Sequence, residues 1–210
     1  MADVKPTRSE LIDLRRRITL AKAGHHLLEK KRDGLVREFF IVLKGARRAR
    51  REMIVAWKTA AERLDAARAL HADTELESLS LAVRPCPAIE MSTKNIMGTL
   101  VPSITAGSMA RPLAERGYGL LTVSSTVNEA CGAYGMLLDR VLSVAEVETT
   151  TRKLIEEIGK TKRRVNALEF EVIPTMTKTA NDISFRLDEI ERETIFRTKM
   201  IKRKLEQKGG

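Results

Sequence analysis

Two groups of side chains in this sequence could support chemistry, and their spacing on a helix decides what each can do. Adjacent histidines His25 and His26 point in different directions on a helix, so they cannot share a metal ion as an i, i+4 pair would. A run of carboxylates could serve as general acids and bases, but arginines interleave with it at helical spacing, which predicts solvated ion pairs instead. The run comprises Asp188, Glu189, Glu191 and Glu193, with Arg186, Arg192 and Arg197.

Other signatures of catalysis or cofactor binding are missing from the sequence. No glycine-rich phosphate-binding pattern such as GxxxxGK[ST] or GxGxxG occurs. Cys86 and Cys131 are far apart and have no CxxC or Cys/His grouping, which favours two free thiols over a disulfide or a zinc site. We therefore predict a non-catalytic chain with no catalytic residues, no metal site and no cofactor.

The charge and composition favour long, thin helices. The chain has 210 residues, a formal net charge of +10, 31% charged residues and only 4% aromatic residues. The positive excess lies mainly in residues 1–84, while the rest of the chain is nearly balanced. A basic coiled-coil nucleic-acid-binding protein or a scaffold is one interpretation of this charge. Positive and negative residues alternate along both long segments, however, and this pattern favours the interpretation that they form solvated helix faces.

Proline and glycine divide the chain into three segments. No proline lies between Pro6 and Pro85, prolines and glycines are concentrated in the centre, and Pro174 alone follows Pro112. The pattern predicts an N-terminal helix over 7–80, an irregular or hairpin segment over 81–122, and a C-terminal helix over 123–206. Thr7 or Ser9 should cap the first helix. Pro174 should kink the second helix, because proline removes one helical hydrogen bond and crowds the preceding turn.

Each predicted helix carries one apolar stripe at steps of three and four residues. The first stripe follows a heptad through Leu11, Leu35 and Met53, then shifts by one residue to Trp57 and Ala60. A helix of this length cannot bury its stripe on a compact domain, so the two helices should pack against each other. The predicted fold class is mainly α: a long antiparallel two-helix coiled coil, with a small irregular or β-hairpin tip in the middle of the chain.

The register of this coiled coil predicts a basic surface. If Leu11 faces roughly residue 198, two basic runs come to the same level and form a positive belt. The belt residues are Arg47, Arg48, Arg50, Arg51, Arg163 and Arg164. A partner-binding belt and a plain solvated face are both compatible with this pattern.

The central segment has a different pattern from the helices. Ile89, Met91 and Thr93 alternate with polar residues, which predicts a strand or hairpin arm followed by breaks at Gly98 and Pro102. The segment carries almost no charge, and its apolar side chains should be exposed for docking to another protein. The predicted docking residues are Ile89, Met91, Ile96, Met97, Leu100 and Val101.

Several stretches of the sequence resemble the D-subunit family of V-type and archaeal A-type ATP synthases. The most specific is residues 162–170, KRRVNALEF, followed by Ile173-Pro174. Residues 21–33, AKAGHHLLEKKRD, and 95–98, NIMG, with Val101-Pro102, resemble the family in the same order. The resemblance covers nearly the whole chain and is loosest over residues 103–122.

This resemblance implies a central-stalk rotor shaft that couples ion-driven rotation of a membrane ring to ATP synthesis or hydrolysis. The implied partners are the A and B subunits of a nucleotide-binding hexamer, the small F subunit of the stalk, and the funnel-shaped subunit on the ring. The implied location is the cytoplasm, peripheral to the membrane. No run of about 18 uncharged apolar residues occurs that would predict a membrane-spanning helix.

Overall fold

The computed structural model describes residues 6–83, 87–112, 115–118 and 123–208. Helix α1 spans Arg8–Leu70 and α2 spans Asp73–Ala82. Strands β1 (Ile89–Ile96) and β2 (Thr99–Ala106) form a two-stranded antiparallel sheet. Helix α3 spans Ser125–Ala167, a π-helical turn covers Leu168–Val172, and α4 spans Ile173–Lys208. The predicted fold class, long paired helices with a small hairpin between them, is confirmed.

The start of α1 is capped as the sequence predicts. The backbone N–H of Glu10 donates to Oγ1 of Thr7 at 3.3 Å, and helix α1 begins at the next residue after Thr7. This hydrogen bond gives a partner to one of the N–H groups that the first turn of a helix cannot pair internally.

Helix α1 ends earlier than predicted, at Leu70. Ala72 has an extended backbone, with φ −67° and ψ 146°, and separates α1 from α2. The ring of His71 contacts Glu75 Oε2 at 3.0 Å through Nδ1 and Ser124 Oγ at 2.7 Å through Nε2. No proline or glycine marks this break, so the helical pattern of the sequence runs through it. The side-chain contacts of His71 connect the end of α1 to the start of α2 and to the residue before α3.

The chain divides into two compact units, which we call the hairpin unit (Gly34–Ile158) and the terminal unit (Met1–Asp33 with Gly159–Gly210). In the hairpin unit, two clusters form the core between α1 and α3. One consists of Ala60, Ala133 and Leu137, and the other of Ala67, Val127 and Ala130. Alanine at these positions lets the two helix backbones approach closely, which explains why the seam needs few aromatic side chains.

Ion pairs across the hairpin unit show which residues of α1 and α3 lie opposite each other. Arg140 Nη1 lies 3.0 Å from Glu52 Oε2, and Arg63 pairs with Glu129. Arg50 Nη1 lies 3.9 Å from Glu148 Oε1, whereas the predicted register would place about residue 159 opposite Arg50. The predicted register is therefore wrong by more than one heptad.

The terminal unit shows why the register differs. Arg8 Nη2 lies 3.4 Å from Glu191 Oε2, yet α4 continues to Lys208. Every described side chain from 191 to 205 is exposed, because α1 has no residues left to pair with that part of α4. The predicted register, inferred from the apolar stripes, placed Arg8 opposite about residue 201, so it left a shorter overhang of α4 than the structure has. The first basic run belongs to the hairpin unit and the second to the terminal unit.

The irregularity at Pro174 takes the form of a π-helical turn. The N–H of Ile173 bonds to the carbonyl of Leu168, five residues earlier, and the helix resumes at Ile173. Proline lacks an N–H and its ring crowds the carbonyl four residues before it, here that of Phe170. A wider turn directly before Pro174 relieves that crowding without ending the helix.

Candidate partner-binding surfaces

The hairpin closes with a two-residue turn at Met97–Gly98. Both residues have positive φ, 51° and 81°, as a type I′ turn requires. The N–H of Gly98 donates to Oδ1 of Asn95 at 2.8 Å, which stabilises the turn. Gly98 was predicted as a break and is the turn itself, since glycine adopts positive φ without strain.

Pro102 was predicted as a second break but lies inside β2. It is paired with Thr93, and Ile96 is paired with Thr99 next to the turn. In an antiparallel ladder the pairs alternate between hydrogen-bonded and non-hydrogen-bonded, and the turn-closing pair is hydrogen-bonded. Thr93 and Pro102 therefore form a non-hydrogen-bonded pair, where proline's missing N–H removes no ladder bond.

One face of the hairpin packs within the hairpin unit. Val101 is only 2% exposed, and Ile96 is half-buried. Lys153 Nζ on α3 donates to the carbonyl of Leu100 at 3.2 Å. At Gly34 on α1, an added Cβ would lie 2.4 Å from the Cε methyl of Met97. The hairpin thus lies along the side of the helices, and the prediction that Val101 is an exposed docking residue is wrong.

The other face of the hairpin is exposed. The strand register places Ile89, Met91 and Leu100 on this face, and Met91 and Leu100 are 72% and 61% exposed. Val101 points the opposite way because successive side chains of a strand alternate between its two faces. The exposed apolar side of the hairpin consists of Ile89, Met91, Leu100 and the turn residue Met97, and this set is a candidate contact surface.

The first basic run is exposed on α1, in the hairpin unit. Arg47 and Arg51 are exposed, and the guanidinium Nε of Arg48 donates to Glu52 Oε1 at 2.9 Å. This hydrogen bond from Arg48 holds the pKa of Glu52 below its ordinary value of 4.5; desolvation opposes the shift, and the charges of Arg140 and Arg48 add to it. Arg48 and Arg50 thus form ion pairs within the chain, which neutralise part of their charge.

The second basic run belongs to the terminal unit. Arg163 and Arg164 are exposed, between the buried residues Thr161 and Val165 of α3. The two arginines therefore point away from the seam that Thr161 and Val165 occupy. Their role as partner contacts stays a prediction.

Beside the first basic run lies an open groove between α1 and α3 that the sequence did not predict. Its lining includes Arg51, Val55, Ala56, Met136 and Arg140. Trp57, assigned to the seam by its spacing, is 57% exposed, and Ala56 packs against the core in its place. The sequence contains a signal for this arrangement. Trp57 directly follows Ala56, and of two adjacent residues the smaller one favours a closely packed seam.

A segment after the hairpin, at Met109 and Ala110, packs across α3 in the hairpin unit, and we call it the strapped segment. Asp139 Oδ1 accepts a hydrogen bond from the N–H of Met109 at 2.8 Å, and Met109 is buried. At Gly135 an added Cβ would lie 2.8 Å from the backbone Cα of Ala110, so only glycine leaves room for the segment. Burial raises the pKa of the nearby Tyr118 hydroxyl, which donates to Asn128 Oδ1 at 2.9 Å.

The comparison with known proteins agrees with this architecture. The sequence matches the family model for the ATP synthase D subunit over residues 10–203. It is 49% identical to the A-type ATP synthase D subunit of Archaeoglobus fulgidus over 205 residues, 97% of this chain and 98% of the relative. It is 45% identical to the protein of that name from Methanosarcina acetivorans over 203 residues, 97% of each chain. The chain belongs to the ATP synthase D-subunit family.

This family membership confirms the predicted role as a central-stalk subunit of a rotary ATP synthase. A further relative, the A-type ATP synthase D subunit of Methanococcoides burtonii, is 45% identical over 96% of this chain and 98% of its own. The matches give no support to a nucleic-acid-binding or scaffold protein. The D-subunit family resemblance on residues 21–33 and 162–174 was therefore the correct interpretation.

The histidine and cysteine side chains of this D-subunit family member that could support chemistry lie beside packing residues or ion-pair partners. His25 Nε2 is buried without a hydrogen bond and lies 3.8 Å from Glu169 Oε2. Cys131 is a half-buried free thiol next to the core, and Cys86 lies outside the described residues. Within the described ranges, no cluster of three or more His, Cys, Asp or Glu residues could hold a metal ion.

The acidic run on α4 consists of exposed carboxylates, as the helical spacing predicts. Glu193 pairs with Arg197 at 3.1 Å and Glu191 with Arg8 at 3.4 Å. None of the helices over the described residues is both long enough and apolar enough to cross a bilayer.

Proposed function

We propose that this chain is the rotor shaft of an A-type ATP synthase, coupling ion-driven ring rotation to ATP synthesis or hydrolysis in a surrounding hexamer. The observation that carries the proposal is near full-length similarity to A-type D-subunit proteins, over the helices and the hairpin alike. The shaft itself is non-catalytic, and its angle biases the affinities of nucleotide sites on other subunits. The chain works in the cytoplasm, peripheral to the membrane.

The paired helices support transmission of torque. In the hairpin unit, Arg63–Glu129 and Arg140–Glu52 connect α1 to α3 at two levels of the seam. In the terminal unit, Arg8–Glu191 connects α1 to α4. Two helices joined by packing and ion pairs resist twisting better than a single helix would, so each unit is suited to carry torque along its length.

The exposed side chains of α4 support contact with the hexamer. Beyond Glu191 the helix continues without a partner from α1 and presents several large apolar residues to solvent. These are Ile195, Phe196, Met200, Ile201 and Leu205. Contiguous exposed apolar residues are typical of an interaction surface. We assign this segment to the hexamer of A and B subunits.

The arginines and the hairpin supply further contacts in this proposal. Arg47, Arg48, Arg50 and Arg51 meet acidic residues of the hexamer or of the F subunit of the stalk, and Arg163 and Arg164 do the same from the terminal unit. The exposed side of the hairpin, with Ile89, Met91, Met97 and Leu100, contacts either the F subunit or the funnel-shaped subunit of the ring. Ile96 and Val101 support this surface from behind.

Reversing Arg47 and Arg51 to glutamate tests the arginine contacts. These two residues are preferred because Arg48 and Arg50 have intrachain partners whose loss would confuse the result. We expect hexamer assembly, and ion transport per ATP hydrolysed, to fall about tenfold at low ionic strength, because like charges across an interface are strongly unfavourable. Reconstituted complexes supply both measurements.

The matched control is the double reversal Lys58→Glu and Arg68→Glu. These exposed residues lie on the same helix, and their reversal changes the net charge equally. Equal losses in both variants would indicate a general charge effect. Normal assembly and coupling of the Arg47/Arg51 variant at low salt would contradict the proposed contact.

A further inference from the structure

Strand β2 and the turn attach the hairpin to the helices. Met97 contacts Gly34 of α1, Lys153 of α3 donates to the carbonyl of Leu100, and the Val101 side chain is buried. Most other residues of β2 are half-buried, whereas β1 contributes no buried residue. An isolated two-stranded hairpin is at best marginally stable in water. The contacts of β2 and the turn therefore decide whether the hairpin stays against the helices.

Gly34 differs from the other two glycines of α1. At Gly24 and Gly45 an added Cβ would meet nothing within 4 Å, so either position could hold a larger residue. At Gly34 an added Cβ would lie 2.4 Å from the Met97 methyl, so the flexible end of the Met97 side chain would have to move to admit a side chain there. Glycine destabilises a helix interior. At Gly34 the absence of a side chain leaves room for Met97, which accounts for a glycine inside this helix.

Met97, which contacts Gly34, has an unfavourable backbone conformation of its own. Met97 has φ 51°, a left-handed conformation that residues other than glycine rarely adopt. The type I′ turn requires this conformation and directs the Met97 side chain at Gly34, while Asn95 holds the neighbouring Gly98. Turn geometry and the gap at Gly34 thus specify one docked position.

We propose that the hairpin is a latch and that Gly34 is its seat. The docked hairpin covers Val101 and keeps Met91 and Leu100 outward, and filling the seat releases the hairpin while the paired helices beneath it stay folded. The helices should stay paired without the latch, because the two buried clusters between α1 and α3 contain no residue of the hairpin. The latch is a switchable element built into the side of the shaft.

Hydrogen exchange on the full chain tests the latch. In Gly34→Leu we expect the amides of residues 89–106 to exchange at least about tenfold faster than in the unmodified chain, because local opening sets their exchange rate. Amides of α3 should keep their rates. Gly45→Leu is the matched control: it makes the same replacement on the same helix where space is open, and it should leave the hairpin protected.

A size exchange adds a second test. Gly34→Ala adds only a methyl group, which the flexible end of Met97 can avoid, so it should leave the hairpin protected. Adding Met97→Ala to Gly34→Leu should restore part of the protection by removing the side chain that the leucine displaces. Faster exchange of the hairpin with unchanged α3 supports the latch. Unchanged hairpin exchange in Gly34→Leu overturns it, and so does equal acceleration in Gly45→Leu or loss of protection throughout α3.

Discussion

The two units of this chain use the same coiled-coil pattern with different support. In the hairpin unit, α1 and α3 share two buried clusters, several ion pairs, a docked hairpin and a strapped segment. In the terminal unit, burial is confined to a few positions of the seam, among them Val165, Ala180 and Ile183. A two-helix seam alone buries few side chains, and additional layers are needed to build a core around it.

Both units leave large apolar side chains exposed. In the terminal unit Phe170, Phe185 and Phe196 are exposed, although phenylalanine is usually a core residue. In the hairpin unit Phe40 and Trp57 are exposed as well, at 56% and 57%. The units therefore differ in the buried clusters between their helices, and both present apolar side chains to solvent.

Truncating one apolar side chain in each unit gives the largest contrast. Leu154→Ala should lower the free energy of unfolding by about 3 kcal/mol, because Leu154 is fully buried and its loss leaves a cavity. Phe196→Ala should change it by less than about 0.5 kcal/mol, since Phe196 is 66% exposed. Urea denaturation followed by circular dichroism measures both.

Ile155→Ala serves as the control for the Leu154 variant. Ile155 is the next residue on α3 and is exposed, so its truncation should have a small effect. If Phe196→Ala destabilised the chain as much as Leu154→Ala, the terminal unit would contain a core that its exposed side chains do not show.

Two glycine substitutions test the strapped segment of the hairpin unit, with opposite expected signs. Gly135→Ala should destabilise the chain by about 2 kcal/mol, because its Cβ overlaps the backbone at Ala110, which cannot yield as a flexible side chain could. Gly45→Ala should stabilise it by about 0.5–1 kcal/mol, since the space there is open and alanine favours a helix. Thermal denaturation of both variants measures the difference, and equal signs would show that the strap is not tightly seated.

The sequence predicted the elements well because proline, glycine and heptad spacing act locally. The absence of proline between Pro6 and Pro85 indicates a long helix, and the alternation around Met91 indicates a strand. The turn at Met97–Gly98 could also have been predicted, because glycine at a two-residue loop is a strong hairpin signal. Pro102 concealed it, since proline inside a strand usually argues against one.

Register and surface depend on contacts that local patterns do not encode. A seam of alanine and leucine fits several registers, and the one that forms is seen only from cross-helix contacts such as Arg63–Glu129. The break at His71 depends on Ser124, fifty-three positions away, rather than on any local signal. The buried side of the hairpin is the one that faces the helices, and nothing in the alternation around Val101 identifies Gly34 or Lys153 as the residues that the hairpin contacts.

The smallest expected effect concerns one ion pair of the hairpin unit and its pH dependence. The hydrogen bond from Arg48 lowers the pKa of Glu52 in the folded chain, so its contribution to stability is present above pH 4.5 and is lost as the pH falls through the lowered value. Glu52→Gln should therefore be less stable than the unmodified chain at neutral pH, and the difference should vanish in acid. Urea denaturation between neutral and acid pH measures it, with Glu62→Gln as a control for removing one charge from α1. A difference that persists in acid would show that Glu52 acts through the packing of its side chain and not through the charge that Arg48 stabilises.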